Sequence, residues 1–304
     1  MTSSDTWHQP LLQQWQQCLT QQKIPHAILL HGQPGLGKQQ LVKSMLQLLW
    51  CETHQACGAC RHCHWLQQNT HPDCLWLQPE APGKAIKIDD IREATQWLQL
   101  SPLHSQKKVL VIQAAENLNI ASSNALLKSL EEPPDSGFII LISEIPEQLL
   151  LTIRSRCQKW RIPMPEKNTL TSWLQTKTGL KKVAEDLLEM GLGPYALLQE
   201  FSPEQTEMRE KITEVFVAVS ERKIYFITAA EKLKEYSPQE ILRYFSYFLQ
   251  AKIMAAAKDN AIEPLKKWLD VQQQSLVLKR SILQNANLNF PLQLELLLQN
   301  ILKS

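Results

Sequence analysis

Gly32-Gln-Pro-Gly-Leu-Gly-Lys38 follows the short apolar run Ala27 to Leu30 and precedes a helical pattern from Gln39 to Trp50. Strand, glycine loop and helix in that order make a P-loop of the form G-x-x-x-x-G-K. The backbone N–H groups of such a loop, with the helix N-terminus behind them, form a concavity suited to phosphate. Lys38 adds a positive charge at the outer phosphates. The next residue of a working loop is Ser or Thr, whose hydroxyl holds magnesium. Here it is Gln39, and an amide is a poor substitute for that small oxygen ligand. Gly32, Gly35, Gly37 and Lys38 are thus the candidate nucleotide-binding residues of a loop expected to bind ATP weakly or not at all.

The strands on either side are legible from their apolar runs. Lys107-Lys-Val-Leu-Val-Ile112 reads as a buried strand, and in a P-loop ATPase it would end in Asp-Glu, for the hydrated magnesium and for the attacking water. Those two places hold Gln113 and Ala114. Glu116 is displaced by two or three residues and reads as a solvent-facing residue at a helix start. Phe138 to Ile142 is apolar on both faces, as a central parallel strand requires. Ser143 lies at its carboxyl end, where ligands of parallel sheets bind, or else caps the following turn. Leu75 to Leu77 is a shorter strand. Between them the pattern predicts helices over Trp7 to Thr20, capped by Asp5 or Thr6, and from a capping box Asp90-Ile-Arg-Glu93 to about Leu100. Further helices are predicted over Asn119 to Leu130 and Pro146 to Ile153, with Arg154-Ser-Arg-Cys157 following. Strands alternating with helices give an α/β fold with a parallel sheet.

Seven cysteines are present, and four of them, Cys51, Cys57, Cys60 and Cys63, fall in the pattern C-x5-C-x2-C-x2-C. Four thiolates at this spacing are a closed, structural zinc arrangement with no open position for water. His54, His62 and His64 are competing donors, but four sulfurs already complete the shell.

The chain of 304 residues is 44% hydrophobic and 20% charged with net charge +2. It is long enough for two or three domains and too nearly neutral to announce a nucleic-acid binder by bulk charge. No apolar run approaches a bilayer span, and the Gln-rich start has no signal-peptide core, so a cytoplasmic protein with no membrane partner is expected. Past Gly193 the chain contains no glycine, and Leu, Gln, Glu, Lys and Ala recur there at helical spacing. Ile162-Pro-Met-Pro165 reads as the exit linker of the first domain.

The cysteine cluster, Thr70-His-Pro-Asp73, Ser123-Asn-Ala-Leu-Leu-Lys-Ser-Leu-Glu-Glu-Pro-Pro134 and Thr152-Ile-Arg-Ser-Arg-Cys157 together resemble the clamp-loader branch of the AAA+ proteins, in detail over residues 5–165. Within that branch the pattern is most similar to the delta-prime family of bacterial DNA polymerase III. The resemblance implies an AAA+ domain with a zinc module over residues 1–165, a small helical lid over 166–202 and an all-α collar over 203–304. It implies a hetero-oligomeric ring with gamma/tau and delta subunits that loads the sliding clamp onto primer-template DNA. In such a ring Arg156, in Ser-Arg-Cys, reaches in trans into a neighbour's ATP site as an arginine finger. The motor subunits also carry a nucleotide-sensing arginine near the place of Pro194, and here there is none. Two other classes compete. A working ATPase motor is supported by Gly32 to Lys38 and opposed by Gln39, Gln113, Ala114 and Pro194. A zinc-ribbon nucleic-acid binder is permitted by the cysteine spacing, but beside the cluster only Arg61 and Trp65 are of the recognition type.

Overall fold

The structure, a computed structural model, describes residues 5–81, 83–180, 188, 192–283 and 289–302. Two compact units emerge: Met1–Trp173 with Leu192–Ala196, and Leu174–Gly191 with Leu197–Ser304. Within the expected lid, residues 181–187 and 189–191 lie outside the described residues.

The first unit is built on a five-stranded parallel sheet in the order β2-β3-β4-β1-β5. Its strands are β1 (Ala27–His31), β2 (Cys74–Leu77), β3 (Lys108–Ile112), β4 (Gly137–Ser143) and β5 (Gln158–Arg161). All residues of β3 and β4 are buried, because helices cover both faces of the sheet. Alternate side chains go to opposite sides. Ile28, Leu30, Val109, Val111, Phe138 and Ile140 meet α1 (Gln9–Thr20) and α2 (Lys38–Trp50), with Trp15 fully buried between them. The short α3 (Arg61–Gln67) follows α2, and Ala27, Leu29, Leu110, Ile112, Ile139 and Leu141 meet α4 (Ile88–Gln99) and α5 (Ile120–Glu131) on the other face.

Several boundaries differ from the sequence expectation. Asp5 makes no capping bond to the 3-10 turn Thr6–His8 that precedes α1. The capping box at Asp90 does not form: α4 begins three residues earlier, with Lys87 as its N-cap. The expected helix over Pro146 to Ile153 is a 3-10 turn, Pro146–Gln148, followed by α6 (Leu151–Arg156), so Arg154 and Arg156 lie inside the helix and not after it. Strand β5 had no apolar run to announce it, because only Trp160 of its four residues is buried.

The second unit is all helical among the described residues. Helices Pro203–Ser220, Pro238–Lys258, Ile262–Leu283 and Phe290–Leu302 enclose a core that includes Phe216, Phe245, Leu249 and Leu298. Ser237 and Glu240 close a reciprocal capping box at the start of the second of these. Glu200, 1% exposed, is paired with Arg243 and accepts a bond from Tyr244 Oη. Among the described residues no helix is long and apolar enough to cross a membrane.

Candidate functional site

The P-loop leaves the carboxyl end of β1 and ends at α2, whose N-cap is Gly37. Gly35 and Gly37 both have φ of +76°, a region that glycine enters without steric cost. Lys38 is buried, and its ammonium is fully engaged by the chain itself. Nζ donates to Gly32 O at 3.0 Å, Gln33 O at 2.8 Å and Glu144 Oε1 at 3.2 Å. Burial pulls the Lys38 pKa down, and the nearby Glu144 carboxylate opposes that. Gln39 is exposed and makes none of these contacts.

Around the loop stand the ends of β3 and β4. Gln113 and Ala114 follow β3, and Ala114 adopts φ +50°, a left-handed conformation that alanine rarely takes. Glu116, expected to face solvent, instead turns back: its Oε1 accepts the Glu144 amide at 3.3 Å, and its Oε2 is buried without a partner. Ser143 is fully buried, and its hydroxyl also lacks a protein partner. Glu144 therefore places a carboxylate on Lys38 at the loop, and Glu116 reaches the same turn through the Glu144 amide.

The chain also covers the loop. Tyr195 N donates to Gly35 O at 2.8 Å. A Cβ added at Gly193 would lie 2.5 Å from Gly35 C and Pro34 O, and one at Gly37 would lie 2.5 Å from the Tyr195 ring. Leu36 O accepts from Trp7 Nε1 at 3.0 Å and contacts His8 Nε2 at 2.7 Å. Burial holds the His8 imidazole below its ordinary pKa. Asp5, 6% exposed, receives Trp173 Nε1 at 2.9 Å and Tyr195 Oη at 2.8 Å. This explains why Asp5 caps no helix: it is the acceptor that ties residues 173 and 195 to the start of the chain. Pro194 opens the helix Pro194–Gln199, and Gly191 of that segment lies outside the described residues.

Arg156 ends α6. Its Nη1 donates to Thr152 O at 3.0 Å, and its Nη2 pairs with Glu131 Oε1 at 2.6 Å. The next strand enters the sheet with Gln158 opposite Ile28, near the first residue of β1. Arg156 thus sits at the amino-terminal edge of the sheet, whereas the P-loop leaves the carboxyl edge. Four strand residues, roughly 13 Å, separate the two levels. Arg154 Nε is buried without a partner, and Cys157 packs inside with its thiol pushed up to about 12 by burial.

Cys51, Cys57, Cys60 and Cys63 converge, and their sulfurs all lie within 4.8 Å of one another. Around a tetrahedral zinc the sulfurs would be about 3.8 Å apart, so the cluster is a slightly open version of that cage. Cys57 N points at Cys51 Sγ at 3.3 Å and Cys60 N at Cys57 Sγ at 3.4 Å, bonds that favour thiolate. Burial pushes Cys51 up, but N–H donors led by Cys57 outweigh it and hold the thiol at about 5. The donor set can hold a metal. Of the competing histidines, His62 is engaged elsewhere, through Nδ1 to His71 Nε2 at 3.0 Å. His71 stacks on Trp50 with centroids 3.9 Å apart. Asp73, fully buried, accepts from Leu103 N, His104 N and Ser105 Oγ. This belt fastens the cysteine module to the strand ends; Thr70-His-Pro-Asp73 was its sequence signal, with no chemistry attached.

Comparison with known proteins places these features. The chain is 33% identical over 183 residues to the DNA polymerase III subunit delta' of Haemophilus influenzae, covering 60% of this chain and 56% of the relative. Against the subunit delta' of Pseudomonas aeruginosa it is 37% identical over 171 residues, 55% of this chain and 51% of the relative. It spans a little over half the length of these curated relatives. A DNA polymerase III gamma subunit-related protein of Thermotoga maritima shares the fold, with TM-score 0.56 and 18% identity over 95% of this chain and 98% of that one. The family model described as DNA polymerase III, delta subunit, matches residues 7–166; spanning more than half of the sequence and all five strands, that match shows that the chain belongs to this family.

Proposed function

We propose that this chain is a non-hydrolysing subunit of the bacterial replicative clamp loader, acting in the cytoplasm. It donates Arg156 to the ATP site of a neighbouring gamma/tau subunit and helps load the sliding clamp onto primed DNA. The carrying observation is the separation of the two motifs on the sheet: Arg156 stands at the amino edge, out of reach of its own P-loop. The names of its relatives support membership of the polymerase III assembly. In this reading residues 166–202 form the lid, residues 203–304 join the collar with gamma/tau and delta subunits, and Cys51, Cys57, Cys60 and Cys63 hold a structural zinc.

The chemistry follows from the residues present. Hydrolysis needs a hydroxyl and a carboxylate for magnesium and a group to orient water; Gln39 supplies no hydroxyl, Gln113 no carboxylate, and Ala114 no polar group at all. Lys38 is neutralised by Glu144 and by the loop's own carbonyls. An arginine supplied from outside places a planar cation against the γ-phosphate as charge spreads over its oxygens. Such fingers are worth about 10³ to 10⁵ in rate, or roughly 4 to 7 kcal/mol of barrier. A gamma/tau-like motor is the competing reading, favoured by the intact loop glycines and Lys38. The test is a reconstituted complex carrying Arg156→Ala. Assembly is expected to persist, total ATPase to fall in part and clamp loading to fall further. Wild-type rates in both assays would refute the reading, and hydrolysis by the isolated chain that Lys38→Ala abolishes would establish the motor.

A further inference from the structure

Glu131 is the last residue of α5, and Arg156 is the last residue of α6. Their side chains meet at 2.6 Å although 25 positions separate them in the chain. We propose that Glu131 is the positioning residue of the arginine finger. The inference rests on the role proposed for Arg156 above.

An acidic residue in the last turn of a helix faces the negative end of the macrodipole and is disfavoured there. Helix propensity therefore does not explain Glu131. Its place at the sheet's amino edge does. It lies six residues before Gly137, which pairs with Lys108 at the first rung of β3 and β4, the same edge at which Gln158 enters beside Ile28. The guanidinium is held on two sides, by Thr152 O on Nη1 and by Glu131 Oε1 on Nη2. Arginine carries five N–H groups in a fixed plane. Two are used inward, so three remain, and the group is 36% exposed. A free arginine samples many rotamers, and a planar fork that is already oriented loses less freedom when it binds a phosphate. Glu131 thus fixes the plane and leaves enough donors for a phosphoryl group on a neighbour.

The experiment uses the reconstituted complex with wild type, Glu131→Ala, Glu131→Gln, Arg156→Ala and the double Glu131→Ala/Arg156→Ala chain. ATP turnover, clamp loading and the melting temperature of each purified chain are read. Glu131→Ala is expected to leave the melting temperature unchanged, since it removes a charge that the helix end disfavours. It should lower the Arg156-dependent part of turnover by about 2- to 5-fold, the range exposed ion pairs support, and Glu131→Gln should recover part of that loss. In the double variant the Glu131 effect should vanish. If Arg156→Ala is harmful while Glu131→Ala is silent, the function proposed above stands and this inference falls. An undiminished Glu131 effect in the Arg156→Ala background, or a rise in turnover with Glu131→Ala, also overturns it. A silent Arg156→Ala overturns the function itself.

Discussion

Replacing Gly35 by Ala is expected to destabilise the first unit well beyond the ordinary cost of a glycine substitution. The magnitude has two parts. The residue sits at φ +76°, where an L side chain costs about 1 to 2 kcal/mol. The new Cβ would also lie 2.5 Å from Ala196 Cβ and 2.6 Å from Ala196 N. Those neighbours are backbone and its first carbon, and Tyr195 N is bonded to Gly35 O at 2.8 Å, so retreat breaks that bond. Overpacking of this kind costs about 1 to 3 kcal/mol. The sum, roughly 2 to 5 kcal/mol, corresponds to a fall in Tm of about 4 to 20 °C for a unit of this size. Gly83→Ala is the matched control: its φ is +77° and nothing lies within 4 Å of the added carbon, so it carries only the backbone part and should lose about 2 to 8 °C. Thermal denaturation of both purified variants, followed by circular dichroism, separates the two parts. If Gly35→Ala melts together with Gly83→Ala, segment 192–196 does not lie on the loop, and the account of a P-loop covered by its own chain is wrong.

Elemental analysis should find one zinc per chain, lost in Cys63→Ser; chelation should change tryptophan emission, because Trp50 stacks on His71 beside the module. A metal content near zero in protein purified without chelator would exclude the site. At Asp73 burial alone would raise the carboxyl pKa, but the Leu103 and His104 amides and the Ser105 hydroxyl outweigh it and hold it below its ordinary value. Its contribution is therefore complete above the unfolded value of about 3.9 and disappears as pH falls through the folded value. Urea midpoints measured from pH 5 to pH 3 should drop less steeply in Asp73→Asn than in wild type, and parallel curves would refute this.

The elements legible in the sequence were those whose signal is local. A glycine loop between an apolar run and a helical pattern fixes itself within a dozen residues. Strands β1, β3 and β4 are buried on both faces and so read as continuous apolar runs. The four cysteines converge because their spacing alone nearly closes the cage. What stayed hidden depends on partners far along the chain. Strand β5 is an edge strand with one buried residue. Glu144 meets Lys38 across 106 positions, and Asp5 meets Tyr195 across 190; neither residue carries a motif. Glu116 departs from its solvent-facing expectation for the same reason: the turn after β3 bends it back to the Glu144 amide, a partner 28 positions away. The capping box at Asp90 failed because Lys87 already occupies the extended cap position, leaving Asp90 inside the first turn.

The glycines of the P-loop, which runs into Gln39 in place of Ser or Thr, have a packing role. A working P-loop needs Gly35 and Gly37 so that phosphate can approach the backbone. Here the approaching groups are Ala196, Tyr195 and His8, and they impose the same steric demand. Lys38 likewise has a partner of the right charge in Glu144, and its Nζ also donates to two loop carbonyls. The loop's conformation is thus held by the chain and needs no ligand. Restoring Ser at Gln39 would add a hydroxyl, yet Gln113, Ala114, the Glu144 pair and the Tyr195 contact would all remain. In the function proposed above, the absence of hydrolysis is distributed over four separate elements that meet only in the folded sheet, and Arg156, the residue proposed to serve a partner, lies at the other end of the strands.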